Sequence, residues 1–343
     1  MSEIFNTTKA KKLNIELVIK ALGDLSPYTL KKIADMTGLS VATCRNIIKE
    51  LMLRNEVLEL DSEEFSGGRP AKCYVYNPDN SRMAGLFIRL EKDRYQVTQA
   101  VANGIGEVFE TGTCEYPSFS LDLIEETIDR LLQKHPAIKA VGIGVPGVVI
   151  NGKVGDFCDI QELANSPLQE ILTNKFQVKF LVENDMNLIA LGFYRLQGYG
   201  IRKNIVVINF PADSCGGSGL IIDGHIMKGS TNFAGEISYL PLVVDRNKSA
   251  ELTNPPDSNL QIIVKTLISM IAILNPDAIA LTGELVQSDK MKAIIEGCQG
   301  IIPKYHMPEI IFRENVQDEY IKGLIAMAQN SLRYEVHLVK KRI

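Results

Sequence analysis

Two groups of residues in this 343-residue chain have types and spacing suited to chemistry. In the first, Ser40, Thr43, Arg45, Asn46 and Lys49 fall on one side of a helical repeat. Their hydroxyl, guanidinium, amide and ammonium groups hydrogen-bond base edges and phosphates when a helix lies in a major groove. Further along, Gly67-Gly68-Arg69-Pro70 sets a cation on a flexible backbone, which can enter a narrow minor groove or touch adjacent phosphates. In the second group, Glu183-Asn184-Asp185-Met186-Asn187 and Phe233-Ala234-Gly235-Glu236-Ile237 gather carboxylates and amides. Glycine clusters at Gly142-Ile143-Gly144-Val145-Pro146-Gly147 and Gly216-Gly217-Ser218-Gly219 accompany them. Each feature also has a plainer reading. Glycines serve turns, Asn-Asp caps a helix beginning near Asn187, and a polar helix face is often simply solvated.

The elements that would carry the first group are legible. Ile15, Val18, Ile19 and Leu22 recur at helical spacing, and Gly23 ends that helix. Thr29 caps a short helix with Ile33 and Ala34 inside. The turn Met36-Thr37-Gly38-Leu39 needs a left-handed residue, which Gly38 supplies, and Ser40 is a good N-cap. Val41, Cys44, Ile47, Ile48 and Leu51 form the apolar stripe of the next helix, opposite Ala42, Thr43, Arg45, Asn46 and Lys49. Val57–Leu60 and Lys72–Tyr76 read as two strands around a loop from Asp61 to Arg69. That is a winged helix-turn-helix. Glu63 and Glu64 in the loop work against phosphate contact. Charge agrees with a DNA reader at this end: residues 1–54 hold nine Lys/Arg and five Asp/Glu, a net of +4, whereas the whole chain is −4, which leaves −8 for residues 55–343.

Asn77–Arg82 reads as a linker, giving a DNA-binding domain over 1–80 and a second domain over 81–343. Beyond it, strands and helices alternate, as in an α/β fold. Strands are expected at Gly85–Leu90, Tyr95–Ala102, Ala140–Val145, Lys179–Val182, Ile205–Phe210, Leu220–Ile222 and Ala278–Leu281. Helices are expected at Asp122–Lys134, Ser166–Asn174, Asn187–Leu196, Asn259–Leu274, Asp289–Glu296 and Asp318–Asn330. No apolar run is long enough for a membrane span, and Met1–Lys12 lacks the apolar stretch of a signal peptide, so a cytoplasmic location is expected. The six cysteines are scattered, which suits reduced thiols better than disulfides or a metal site.

Taken in order, these motifs resemble the ROK family of repressors, open reading frames and sugar kinases. Gly67-Gly68-Arg69-Pro70-Ala71 resembles its wing. Gly142–Gly147 and Glu183–Asn187 resemble its sugar-site segments, and Phe233–Ile237 its second sugar-contacting stretch. The resemblance implies a winged helix-turn-helix before a two-lobed actin/hexokinase-like (ribonuclease H-like) sugar-kinase fold. It also implies sugar contacts at Asn184, Asp185 and Glu236, and assembly as a homodimer or homotetramer.

The chain departs from the kinase pattern at each nucleotide motif. Where the family carries an acid and then Gly-Gly-Thr, this chain has Arg89, Glu91 and Lys92. Its second phosphate loop is Asp213-Ser214-Cys215-Gly216-Gly217, and its third glycine motif is Thr282-Gly283-Glu284. Bulky side chains obstruct the close backbone approach a phosphate needs, and the added carboxylates repel it. The family's zinc-binding His is Tyr239 here, and no Cys lies between Leu240 and Asn259, so no metal is expected. The family's Asn-Leu-x-Gly-Trp segment is replaced by Cys158-Asp159-Ile160-Gln161-Glu162. The expected protein binds operator DNA and a sugar or sugar phosphate effector, without a cofactor and without phosphoryl transfer. Two alternatives stay open: a bifunctional, ATP-dependent sugar kinase, and a constitutive DNA binder whose large domain only dimerises.

Overall fold

The computed structural model describes residues 7–61, 72–91, 93–199, 203–212, 216–242 and 256–332. The N-terminal unit comprises α1 (Thr7–Ala21), β1 (Tyr28–Thr29), α2 (Leu30–Thr37), α3 (Val41–Leu53), β2 (Val57–Asp61) and β3 (Lys72–Tyr76). Local chemistry sets its turns. Thr29 Oγ1 accepts the Lys32 N–H, Gly38 closes α2 at φ 70°, and Ser40 Oγ accepts the Thr43 N–H at 3.1 Å. Ile15, Val18, Leu22, Ile33, Cys44, Ile48 and Leu51 then bury together as one core. Val41 does not join its stripe; it is exposed, because the first helical residue sits ahead of the turn that faces the core. The strands pair in the order β1-β3-β2, so Lys72–Tyr76 is central and the two-residue β1, unforeseen in the sequence, covers one edge. Gly67, Gly68 and Arg69, with the rest of the expected wing loop, lie outside the described residues.

The larger part uses one topology twice. Its first half runs β4 (Arg82–Glu91), β5 (Arg94–Asn103), β6 (Val108–Tyr116), α4 (Leu121–Lys134), β7 (Ile138–Val145), β8 (Gly147–Ile150), β9 (Lys153–Cys158), α5 (Leu168–Phe176), β10 (Lys179–Asn184) and α6 (Asp185–Leu196). The second half runs β11 (Ile205–Asn209), β12 (Gly217–Ile222), β13 (His225–Ile226), α7 (Pro256–Leu274), β14 (Ala278–Thr282), α8 (Met291–Gln299), β15 (Glu309–Phe312) and α9 (Gln317–Leu332). The sheets are ordered β10-β7-β4-β5-β6 and β13-β12-β11-β14-β15. In each, the first strand is central. It is followed by an antiparallel meander on one side and two parallel strands on the other.

Helices α6 and α9 fill the space between the sheets. Phe87 and Ala100 of the first sheet, Leu188, Phe193 and Leu324 of the helices, and Val207 and Ala280 of the second sheet share one core. Two glycines allow the helices to touch backbone to backbone. A Cβ at Gly192 would lie 1.7 Å from the Glu319 carbonyl oxygen, and one at Gly323 would lie 1.9 Å from that of Leu188. Helices α4 and α5 cover the outer face of the first sheet, and α7 and α8 that of the second. Strands β6, β8, β9, β13 and β15 were not foreseen, and Gly217–Gly219 sit inside β12 rather than before it. Gly219 is in the strand because the α6 backbone passes there: its Cβ would lie 2.0 Å from the Met186 carbonyl oxygen. No helix among the described residues is long and apolar enough to cross a membrane.

Candidate functional site

Helix α3 buries Cys44, Ile47, Ile48 and Leu51 and leaves Arg45, Asn46 and Lys49 exposed. Those three side chains are available to a duplex. Ser40 and Thr43 are partly committed to the helix end: their hydroxyls lie 2.8 Å apart in a mutual hydrogen bond, besides the cap itself.

The second site lies at the C-terminal ends of β7 and β10, where α6 begins. Strands β7 and β10 run parallel, with Val145 beside Asn184, so their C-terminal ends open on the same edge. Asn184 is the N-cap of α6: its Oδ1 accepts the Asn187 N–H at 3.1 Å, and its Nδ2 donates to the Gly147 carbonyl at 3.1 Å. The helix therefore starts at Asp185, two residues earlier than its apolar pattern suggests. Asp185 is half-buried at this end and accepts the Met186 N–H at 2.8 Å. Burial pushes its carboxyl up to about 6. The Met186 N–H and the Arg89 guanidinium oppose that rise, and the charges of Asp159 and Glu236 add to it. Asp185, closing the first half, and Glu236 of the second thus lie within electrostatic reach of each other.

Arg89 brings a cation to Asp185. Near the end of β4, its guanidinium lies over the Phe87 ring at 4.9 Å and the Tyr320 ring at 5.2 Å, and those rings stack at 4.1 Å. Tyr320, from α9, is fully buried, and its hydroxyl has no hydrogen-bond partner. Burial, with Asp185 adding to it, pushes that phenol well above its ordinary range. The tyrosine also accounts for Gly144, where a Cβ would lie 2.3 Å from Tyr320 Oη. Tyr320 was not foreseen: an aromatic on an apolar helix reads as core.

A loop from the second half reaches over to the first. Lys228 pairs with Glu183 Oε2, while Glu183 Oε1 accepts the Asn184 N–H and Asn187 Nδ2, both at 3.0 Å. Asn232 Nδ2 donates to the Val149 carbonyl at 2.5 Å. Glu183 is almost wholly buried, so Lys228 supplies the charge that makes its burial tolerable. The same loop brings in Glu236. It is pinned by Gly235 at φ 100°, whose carbonyl accepts both the N–H and the hydroxyl of Ser218 at 2.9 Å.

Where the sequence departs from a first phosphate loop, β4 ends at Glu91 and β5 begins at Arg94, opposite each other in the ladder; Lys92 lies outside the described residues. On the other side, Glu284 Oε2 accepts the Ala212 N–H at 3.2 Å, so this carboxylate occupies a backbone donor at the strand ends. Asp213–Cys215 lie outside the described residues, as do residues 243–255 beyond Tyr239. Among the described residues, no three His, Cys, Asp or Glu side chains cluster as metal ligands.

The ROK family model matches residues 106–251. A xylose repressor of Bacillus spizizenii is 26% identical over 245 residues, 70% of this chain. A xylose repressor of Caldicellulosiruptor bescii is 28% identical over 249 residues, 68% of this chain. The Escherichia coli DNA-binding transcriptional dual regulator NagC is 24% identical over 249 residues, 70% of this chain. The chain spans 60 to 63% of the length of these curated relatives. Among solved structures, a ROK family transcriptional regulator, a homologue of the E. coli MLC protein, superposes with a TM-score of 0.70. It shares 18% identity and covers 94% of this chain and 100% of its own. A ROK hexokinase from Thermus thermophilus superposes at 0.58, with 16% identity over 71% of this chain and 97% of its own. The fold is therefore the two-lobed one shared by ROK regulators and sugar kinases.

Proposed function

We propose that this protein is a DNA-binding transcriptional repressor of carbohydrate metabolism, that a sugar or sugar phosphate controls it, and that it transfers no phosphate. One observation carries the reading. Helix α3, with Arg45, Asn46 and Lys49 facing solvent, precedes a cleft whose carboxylates Asp185 and Glu236 come from opposite halves. Relatives of the same family, named as repressors, support it. Residues 1–80 read DNA and residues 81–343 bind the effector and hold two or four chains together, so that two readers engage one operator.

Asn184, Asp185 and Glu236 offer acceptors and a donor amide suited to vicinal hydroxyls. The Asn184 amide is already tied to Asn187 and Gly147, which leaves it one N–H and one lone pair for a ligand. Against phosphoryl transfer stands Arg89, which faces Asp185 from the strand where kinases of the family carry an acid; Glu284 is bonded where a phosphate would need donors. Asp185 would then have no donor phosphate to act on.

Thermal unfolding against D-xylose, N-acetylglucosamine and their phosphates tests the effector site. A ligand at a hundredfold its Kd stabilises the folded chain by about 2.7 kcal/mol, a shift readily seen. Asp185→Asn abolishes that shift. If none of these compounds moves the transition, or if the variant keeps the shift, the effector site is misassigned.

A further inference from the structure

The turn joining β5 to β6, residues 103–107, belongs by chain to the first sheet but packs elsewhere. Its Ile105 is seated against the N-terminal core formed by Ile15, Leu22, Leu51 and Tyr76. The Gly104 N–H donates to the Pro78 carbonyl at 2.7 Å, and a Cβ at Gly104 would lie 3.0 Å from Tyr76 Oη. The turn is rigid. Asn103 Oδ1 accepts the N–H groups of Ile105 and Glu107, and Asn103 Nδ2 donates to Glu107 Oε2.

The other side of the same turn is held by α9. Gln329 Nε2 donates to the Gly104 carbonyl at 3.0 Å, and Lys322 Nζ to the Gly106 carbonyl at 3.3 Å. Ile325 lies at 3.6 Å from where a Gly106 Cβ would be. Lys322, Ile325 and Gln329 follow the spacing of one helix face. Toward its other end, α9 carries Tyr320, under the Arg89 guanidinium and within the electrostatic reach of Asp185. From Tyr320 to Gln329 is about 14 Å of continuous helix. That helix packs backbone to backbone on α6, the helix Asp185 opens.

We propose that the Asn103–Glu107 turn joins the cleft to the DNA-reading unit: Ile105 plugs the reader, and Lys322 and Gln329 fix the plug to α9. These three are positioning residues. A movement of α6 against α9 when the cleft fills displaces the plug, and with it the reader. This inference rests on the reading of two functional units, but its test needs neither DNA nor effector.

Hydrogen exchange on the full chain supplies that test. Gln329→Leu removes the bond to Gly104, and among the described residues that side-chain bond reaches only the turn. We expect roughly five- to tenfold faster exchange in α1 and α3, the change one lost hydrogen bond produces in local opening. Ile105→Ala accelerates the same helices and, reciprocally, the last turns of α9; Ile105→Val largely restores both. If Gln329→Leu accelerates only the turn and α9, or if Ile105→Ala leaves α9 unchanged, the plug is a passive filler and the proposal is wrong. Because no ligand enters the measurement, failure here leaves the effector reading standing, and failure of that reading leaves this result intact.

Discussion

Replacing Asp185 with asparagine should make the free protein more stable at neutral pH. Its carboxyl titrates near 6 in the folded chain because burial outweighs the help of the Met186 N–H and Arg89. In the unfolded chain it titrates near 3.8. A raised carboxyl means the fold prefers the protonated form. The favourable contribution is complete below the unfolded value and is lost as pH rises through the folded one. Above pH 7 the ionised Asp185 is therefore a cost of about 3 kcal/mol at most, roughly two pH units at 1.36 kcal/mol each. Asparagine keeps the shape and can still accept the Met186 N–H, but carries no charge. Chemical denaturation of both proteins from pH 4 to 8 reads the difference. The variant should be more stable by up to about 3 kcal/mol at pH 7.5, with the gap closing toward pH 4. The comparison cancels the titration of every other carboxylate that behaves alike in both. A variant less stable at pH 7.5, or a gap independent of pH, refutes the account of a desolvated carboxylate kept for binding.

Three further outcomes follow from the geometry. Lys228→Met strands the buried Glu183 carboxylate and should cost about 2–3 kcal/mol by denaturation, less than a wholly buried pair because Lys228 is partly exposed; Glu183→Gln in the same chain should recover much of it. Gly323→Ala forces a methyl into the Leu188 carbonyl where α6 and α9 touch, and should cost several kcal/mol or prevent folding, whereas Gly112→Ala, whose methyl would meet only the Gln99 side chain at 3.5 Å, should cost far less. Incubation with ATP and the same sugars should yield no sugar phosphate; turnover that disappears with Asp185→Asn would restore the kinase reading.

The N-terminal unit was legible almost residue by residue, because its signals are local. Thr29, Gly38 and Ser40 act within three or four residues of themselves, and the stripe of Cys44, Ile47, Ile48 and Leu51 faces one core. Val41 failed only because position in the first turn overrides helical phase. In the larger part, segments buried on both faces, such as β7, β11 and β14, announced themselves as apolar runs. Strand β6 alternates with many polar, exposed residues and did not; nor did the short β13 and β15. The glycines of β12 looked like a loop because the reason for them, the passing α6 backbone, is distant in sequence. The cleft followed the same rule. Asp185 and Glu236 stood out by motif, whereas Tyr320 and Lys228 matter through partners far along the chain, and nothing in their own neighbourhoods marks them.

The most direct test of the central claim is anisotropy of labelled duplex DNA selected by the full chain from a random library, titrated with the sugars and sugar phosphates above. The account predicts sequence-specific binding that one of these compounds weakens. Arg45→Ala or Asn46→Ala should cost about 1–3 kcal/mol of sequence discrimination, as expected for a side chain on a base edge. The release should vanish with Asp185→Asn while DNA affinity without the ligand is kept. Binding that shows no sequence preference, or specific binding that no ligand of this class changes, would contradict it.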